Sequence, residues 1–359
     1  MPNGKLVLVE KDFVPLSITE DALYDRVYAR TFDRLLDRRD SLRKQKDEAW
    51  KIRLSDPTNF QQVQEQKDLI KRLVRFMFGN RSDIEAYKDI TARDYVLPMI
   101  PEIEATFQDY KGETIGRAVR AATHRVGSRE WLEERQHGLG GSDIGKMLGI
   151  YETRYSASKQ EEIIESDWGE VYSSKVDHIT DEQVEDQIPD EGPLFRGNTW
   201  ESVIFHRFVQ LFDDLTVMHT KSTWRNGNAT LNVDGLISNR KDGKINGVFE
   251  AKTGSFAEAW EDGIPLKYLA QVTHYMYHMD LEYAYVAVLL DDQELRVYYV
   301  DLDDVLIPCQ VYPDGATPQQ IAEYSDKCYN MMQEARAKRL ADEAEARENA
   351  GGDRDEDAA

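Results

Sequence analysis

Two short blocks, Asn-Val-Asp-Gly at 232–235 and Phe-Glu-Ala-Lys at 249–252, constrain this chain more than any other feature. Each has the texture of a β-strand. The polar stretch from Arg240 to Asn246 separates them as a turn, so the spacing predicts a hairpin. Successive side chains on a strand point to opposite faces, which puts Glu250 and Lys252 on the same side. Pairing the strands then brings Asp234 against them, and two carboxylates meet one ammonium. Oxygen ligands of this kind suit a hard divalent cation, and a neighbouring cation suits the charge that develops in phosphodiester chemistry. The same residues also read as a surface hairpin with a salt bridge, so the rest of the chain has to choose between the two.

At 359 residues with 41% hydrophobic content, the chain has room for one large or two medium domains with a packed core. It contains no run long enough to span a bilayer, and its start, Met-Pro-Asn-Gly-Lys, lacks the apolar segment of a secretory signal; a cytoplasmic protein without membrane association is expected. The formal net charge is −22. The stretch from Ala341 to Ala359 carries eight acids against Arg347 and Arg354, a net of −6, which leaves −16 spread through the chain. That balance opposes non-specific coating of nucleic acid but is compatible with basic residues gathered in one channel. Cys309 and Cys328 are too few for a four-cysteine zinc or iron–sulfur site, and a disulfide framework is not expected.

Residues 1–125 read as a helical accessory region. After a strand over Lys5–Glu10, helical spacing marks Asp21 to Ile52, Phe60 to Phe78 behind Asp56-Pro57, and a third passage from Ile103 to His124 with a break near Gly112. Residues 126–335 change character. A helix over Arg129–Gln136 leads to the glycine-rich turn Gly138-Leu-Gly-Gly141, with a helix start at Ser142-Asp143. A polar, acidic stretch from Ser156 to Glu191 reads as an inserted loop with some helix. Beyond it come a helix over 199–212, strands at 215–223, 229–237 and 247–253, a helix from Pro265 to Met279, and a hairpin of 283–290 with 294–300. A last helix from Pro318 frays into an acidic tail, 336–359, expected to be disordered.

Other pieces carry chemistry. Trp131 and Arg135 lie four apart on one helix face, and Ser142 opens a glycine-cushioned helix. Glu201 stands in Gly-Asn-Thr-Trp-Glu, and Gln271 in Tyr-Leu-Ala-Gln-Val-Thr-His-Tyr-Met. Taken singly, Glu201 is a solvent-facing helical glutamate, Gln271 a buried amide, Trp131 core filling and Asp143 a helix cap. Taken in order, W-x3-R, GGSDI, G-x3-E, VDG, E-x-K and Q-x3-Y-M resemble the YqaJ-type viral recombinase family. This family is of lambda-exonuclease kind and lies within the PD-(D/E)XK nuclease superfamily. The resemblance spans Ser128 to Val300, about half the chain.

The resemblance implies an α/β (α+β) fold with a restriction-endonuclease-like core, a mixed central sheet flanked by helices, extended at the amino terminus by helices. It implies a 5′→3′ exonuclease of phage-type recombination that degrades one strand of duplex DNA and leaves 3′ single-strand overhangs. Alternatives are an endonuclease or single-strand nuclease on the same fold, or a catalytically idle DNA-binding or assembly protein. Asp234 and Glu250, with the backbone carbonyl of Ala251, would hold Mg²⁺ (or Mn²⁺ in its place), one ion or two, and Glu201 would complete the site. Lys252 would position or deprotonate water, and Gln271 would hydrogen-bond near that water or the scissile phosphate. Arg135 and Ser142 would grip a terminal 5′-phosphate, with Trp131 stacked at the DNA end. The expected partners are duplex DNA ends, a single-strand annealing protein and further copies of the chain in a trimeric ring, in the cytoplasm of a phage-infected cell. One departure stands out: lambda-type enzymes carry a further aspartate ten residues before the VDG aspartate, and Trp224 occupies that position here.

Overall fold

The structure is a computed structural model and describes residues 4–11, 100–121, 128–150, 153–156, 161–164, 168–180, 193–239, 243–254, 257–290 and 294–352. The helices expected over 21–52 and 60–78 lie outside the described residues, as does the tail after Gly352. The chain divides into two compact units, one of Val14–Glu102 and one of Met1–Phe13 with Ile103–Ala359. All the candidate site residues belong to the latter.

In chain order the elements are β1 (Lys5–Glu10), α1 (Ile100–Glu104), β2 (Thr114–Ile115), β3 (Ala118–Arg120), α2 (Arg129–Gln136), β4 (Leu139–Gly140), α3 (Gly141–Met147), β5 (Thr153–Ser156), β6 (Glu161–Ile164), α4 (Trp168–Val176) and α5 (Pro193–Leu211). They continue as β7 (Leu215–His219), β8 (Trp224–Asn226), β9 (Ala229–Leu231), β10 (Gly235–Asn239), β11 (Ile245–Gly254), α6 (Leu266–Met279), β12 (Tyr283–Leu290), β13 (Glu294–Asp301) and α7 (Pro318–Gly352). The central sheet runs β1-β13-β12-β11-β10-β7, and a smaller one runs β2-β3-β8-β9-β4. Within the central sheet only β11 and β12 pair in parallel, joined by α6, because parallel neighbours need a crossover. This is the mixed sheet flanked by helices that the sequence implies.

Strand β11 is the centre of the layers. Phe249 packs edge-on against Phe205 and also meets Phe208, both on α5. The next residue, Glu250, meets Gln271 on α6. Adjacent strand residues face opposite ways, so β11 is covered by α5 on one side and α6 on the other. That double burial explains its apolar neighbours: Val248, Phe249, Val286, Ala287, Val288 and Val297 are all fully buried.

Four expectations are corrected. The third helical passage, 103–124, is helical only in α1, which ends at Glu104; the later part forms the β2–β3 hairpin. Gly116 turns it with φ +52, a left-handed conformation no helix interior accepts. The Arg120 guanidinium ties the loop by donating to the Tyr110 and Gly112 carbonyls. Second, the strand expected over 229–237 is two strands in different sheets, β9 and β10, and Asp234 sits in the bend between them. Periodicity alone does not register a change of sheet. Third, the stretch from Ser156 to Glu191, read as an inserted loop with some helix, does hold a helix, α4, whose Val171, Lys175 and Val176 are buried. It also holds the strand β6, paired with β5 just before it. Fourth, the final helix continues to Gly352, beyond the frayed end the composition suggests. Among the described residues, no helix is long and apolar enough to cross a membrane.

Candidate functional site

The bend before β10 and the end of β11 bring the acidic residues together. Asp234 Oδ2 accepts the backbone N–H of Ala251 at 2.7 Å, which fixes the carboxylate beside the Glu250–Lys252 segment. Lys252 Nζ donates to Glu250 Oε1 at 2.6 Å, and Gln271 Nε2 donates to the same oxygen at 2.6 Å. Gln271 Nε2 also lies 3.0 Å from the Tyr275 hydroxyl, one helical turn along α6. The Lys252 ammonium sits over the ring of Tyr268, 5.3 Å from its centroid. Glu201, on α5, is partly buried and lies close enough to Asp234 and Glu250 to feel both charges.

These groups strain one another electrostatically. Burial pushes Glu250 up to about 8 from an ordinary 4.5; Asp234 adds to this and Lys252 opposes it. Burial raises Asp234 too, against the pull of Lys252, the Ala251 N–H and His219. Burial, then Asp234 and Glu250, raise Glu201 well above its ordinary value. For Lys252, burial works against the charge, but Glu250 and Asp234 outweigh it and hold the ammonium protonated above its ordinary range.

Among the described residues, no three His, Cys, Asp or Glu side chains converge as a ready-made metal group. Asp234 Oδ2 is engaged by the Ala251 N–H, and Glu250 Oε1 by Lys252 and Gln271. Glu250 Oε2, however, is buried without a hydrogen-bond partner. An unsatisfied buried acceptor costs roughly 1–3 kcal/mol, more for a charged group. A hard cation held by Asp234 and Glu250, with Glu201 drawn in, would satisfy that oxygen and offset the mutual repulsion, and carboxylate oxygens are the donor type that Mg²⁺ takes. The position of Trp224 contributes nothing to such a set. Its side chain is fully buried on β8, the indole N–H donates to Thr220 Oγ1 at 3.2 Å, and Arg120 stacks on it.

The second half of the site is a pocket of about 190 Å³ lined by Trp131, Arg135, Gly140, Gly141, Ser142, Lys175, Thr230, Asn232 and Tyr275. Arg135 stacks its guanidinium on Trp131, 4.8 Å from the ring centroid. Trp131 is only partly buried and lines the pocket, so it is not simple core filling. Ser142 is exposed at the start of α3. Asp143 is the expected cap, with Oδ2 accepting the Gly140 N–H at 2.9 Å, and it also pairs with Lys175 at 3.0 Å. Burial raises the Asp143 carboxyl, but Lys175, Arg135 and the Gly140 N–H together hold it below its usual value.

The glycines of the GLGG turn let this wall close on α6. A Cβ on Gly141 would stand 2.7 Å from Gln271 Cγ and from the Tyr275 ring. Gln271 and Tyr275 therefore link the two halves, with one end of the bonded pair on Glu250 and the other in the pocket.

All the residues singled out in the sequence fall in these two adjoining places. Glu201, Asp234, Glu250, Ala251, Lys252 and Gln271 gather at the acidic cluster, and Trp131, Arg135 and Ser142 at the pocket. Sequence reasoning missed Lys175 and Thr230, and it held Tyr275 and Asn232 within its motifs without giving either a role. Tyr275 carried a signal, since it follows Gln271 by four on a helix. Lys175 carried none, because it lies in a polar stretch that reads as loop.

Residues 130–282 match the YqaJ-like viral recombinase domain model. The uncharacterized protein YqaJ of Bacillus subtilis (strain 168) is 28% identical over 197 residues, covering 53% of this chain; the chain spans about half, 54%, of that relative's length. Among solved structures, the alkaline exonuclease LHK-Exo of Laribacter hongkongensis is 14% identical, with a TM-score of 0.42 over 62% of this chain and 99% of the other. Its complex with dAMP is similar at 15% identity, a TM-score of 0.40 and the same coverage. Over residues 130–282, less than half of its length, the chain is similar to the YqaJ-like viral recombinase domain.

Proposed function

We propose that this chain is a divalent-cation-dependent deoxyribonuclease that hydrolyses one strand of duplex DNA from a 5′-phosphorylated end and leaves a 3′ single-strand overhang. The observation that carries the reading is the bonded path Glu250–Gln271–Tyr275, which joins an acidic cluster fit for Mg²⁺ to a cationic pocket beside it. The viral recombinase domain supports the same class of activity.

Asp234 and Glu250, with Glu201, would hold the cation. When bound, it supplies charge stabilisation at the phosphoryl oxygens and lowers the pKa of water. Lys252, held protonated by its carboxylate neighbours in the metal-free site, would orient water and offset negative charge developing on the phosphorane. Gln271 holds Glu250 Oε1 in place and leaves Oε2 free for the cation. Arg135, its guanidinium over the Trp131 ring, presents a fork of donors to a terminal phosphate, and Ser142 adds a hydroxyl. Seating the end there directs a nearby ester to the acidic cluster.

The test is digestion of an end-labelled linear duplex beside a sealed circle, with Mg²⁺ or with chelator. Mg²⁺-dependent shortening from the 5′ end of the linear duplex alone is expected. Cleavage of the circle would make the protein an endonuclease, and no cleavage of any DNA with Mg²⁺ or Mn²⁺ would leave a binding protein.

A further inference from the structure

We propose that Lys175, on α4, is a specificity-determining residue that contacts the terminal phosphate in the pocket, with Asp143 as the partner that holds it in place. The inference rests on the end-recognition reading above and adds to it a residue from a segment that looks like an insertion.

Lys175 is 1% exposed and stands on the core face of α4 beside Val171 and Val176, where an apolar residue is the default. Its Nζ donates to the Arg135 carbonyl at 2.7 Å and pairs with Asp143 Oδ2 at 3.0 Å. Two of the three ammonium protons thus have acceptors, and Lys175 is part of the pocket wall, where a bound phosphate would take the third. Stability gives little reason for such a pair. Replacing a buried ion pair by apolar residues of similar size is often neutral or stabilising. A ligand gives a reason. A phosphate monoester carries about −1.5 to −2 charges near neutral pH, so Arg135 alone leaves it under-compensated. Lys175 supplies the second cation. Asp143, turned to Lys175 and the Gly140 N–H, holds that cation at the wall where α2 meets α3. The bond to the Arg135 carbonyl also fixes the end of α2 that carries the guanidinium. A pocket of about 190 Å³ is below the size typical of small-molecule sites, as a terminal phosphate requires.

The experiment is fluorescence anisotropy of short blunt duplexes ending in 5′-phosphate or 5′-hydroxyl, in chelator, so that cleavage plays no part. The wild-type protein should bind the phosphorylated duplex about tenfold more tightly, a difference set by the terminal group alone. Lys175→Met by itself strands a buried carboxylate and risks misfolding, so the deciding variant is Lys175→Met/Asp143→Asn, which removes both charges. It should unfold near the wild-type temperature yet bind the two duplexes within about twofold of each other, whereas Lys175→Arg should keep most of the preference. A double variant that retains the full preference would overturn the proposal, since the pair would then be scaffolding only. Wild-type protein that cleaves duplex DNA but binds both ends equally would also overturn it, and would leave the nuclease reading standing.

Discussion

Asp234 Oδ2 accepts the N–H of Ala251 at 2.7 Å, so the carboxylate in the bend before β10 is tied to the residue between Glu250 and Lys252. One backbone donor thus sets the geometry of the whole acidic cluster. It also pulls the Asp234 carboxyl down against the burial that raises it.

Lys252→Met should reduce cleavage by on the order of 10²–10³-fold, the usual loss when a group stabilising transition-state charge is removed. Binding of a phosphorylated duplex end in chelator should change little, because the pocket residues are untouched. The variant strands Glu250, whose side chain is 3% exposed, so unfolding should become easier by roughly 3–5 kcal/mol in metal-free buffer. Single-turnover cleavage beside urea titration checks both halves, and full activity in the variant would remove Lys252 from the mechanism.

Without metal, the acidic cluster's contribution to stability should fall as pH rises from about 4.5 to 8. It dominates above about 6.5, where the lowered pKa values of His274 and His278 no longer act in the opposite direction. Glu250 is pushed up to about 8 in the folded chain from an ordinary 4.5, and Asp234 and Glu201 move in the same direction. Within that window the folded state holds protons that the unfolded state has released, so raising the pH favours unfolding. Mg²⁺ binds the ionised carboxylates and should restore stability most at the upper end, by about 2.7 kcal/mol at a hundredfold excess over its Kd. Thermal unfolding across this range in chelator and in Mg²⁺ measures it. Glu250→Gln should flatten the chelator curve; an unchanged slope would assign the effect to other groups.

Gln271→Ala removes the amide that joins Glu250 to Tyr275. A hydrogen bond to a charged group contributes about 1.5–3 kcal/mol, and a loss of that order is expected in denaturant titration. Cleavage should also weaken, because Glu250 is no longer held on the α6 side. Unaltered turnover with the stability loss would make Gln271 structural only.

Gly141→Ala places a methyl 2.7 Å from Gln271 Cγ and the Tyr275 ring. Relieving that contact means shifting α3 or α6, and overpacking of this kind costs about 1–3 kcal/mol. The pocket and the acidic cluster share Gln271 and Tyr275, so both end binding and cleavage should decline together. A Gly141→Ala protein with native stability would show that the two helices yield freely.

Much of the site was legible in the sequence because its parts are local. Glu250 and Lys252 share a strand face by the period of two, and Trp131 and Arg135 share a helix face by a spacing of four. The α2 boundaries, Arg129–Gln136, and the β12–β13 pair were likewise written in local periodicity. The β2–β3 hairpin was less readable, because Gly116 and the Arg120 hydrogen bonds override a segment that looks helical.

The sequence by itself determined which residue types the site would use and the order in which they come. Only the tertiary structure decided what joins them. The change of sheet between β9 and β10 places Asp234 at Ala251, the close approach of α3 to α6 places Gln271 between the acidic cluster and the pocket, and the burial of α4 brings Lys175 to Asp143. None of these has a sequence period, because each depends on two segments distant in the chain meeting at one point. Burial there sets the charges that isolated residue types leave open.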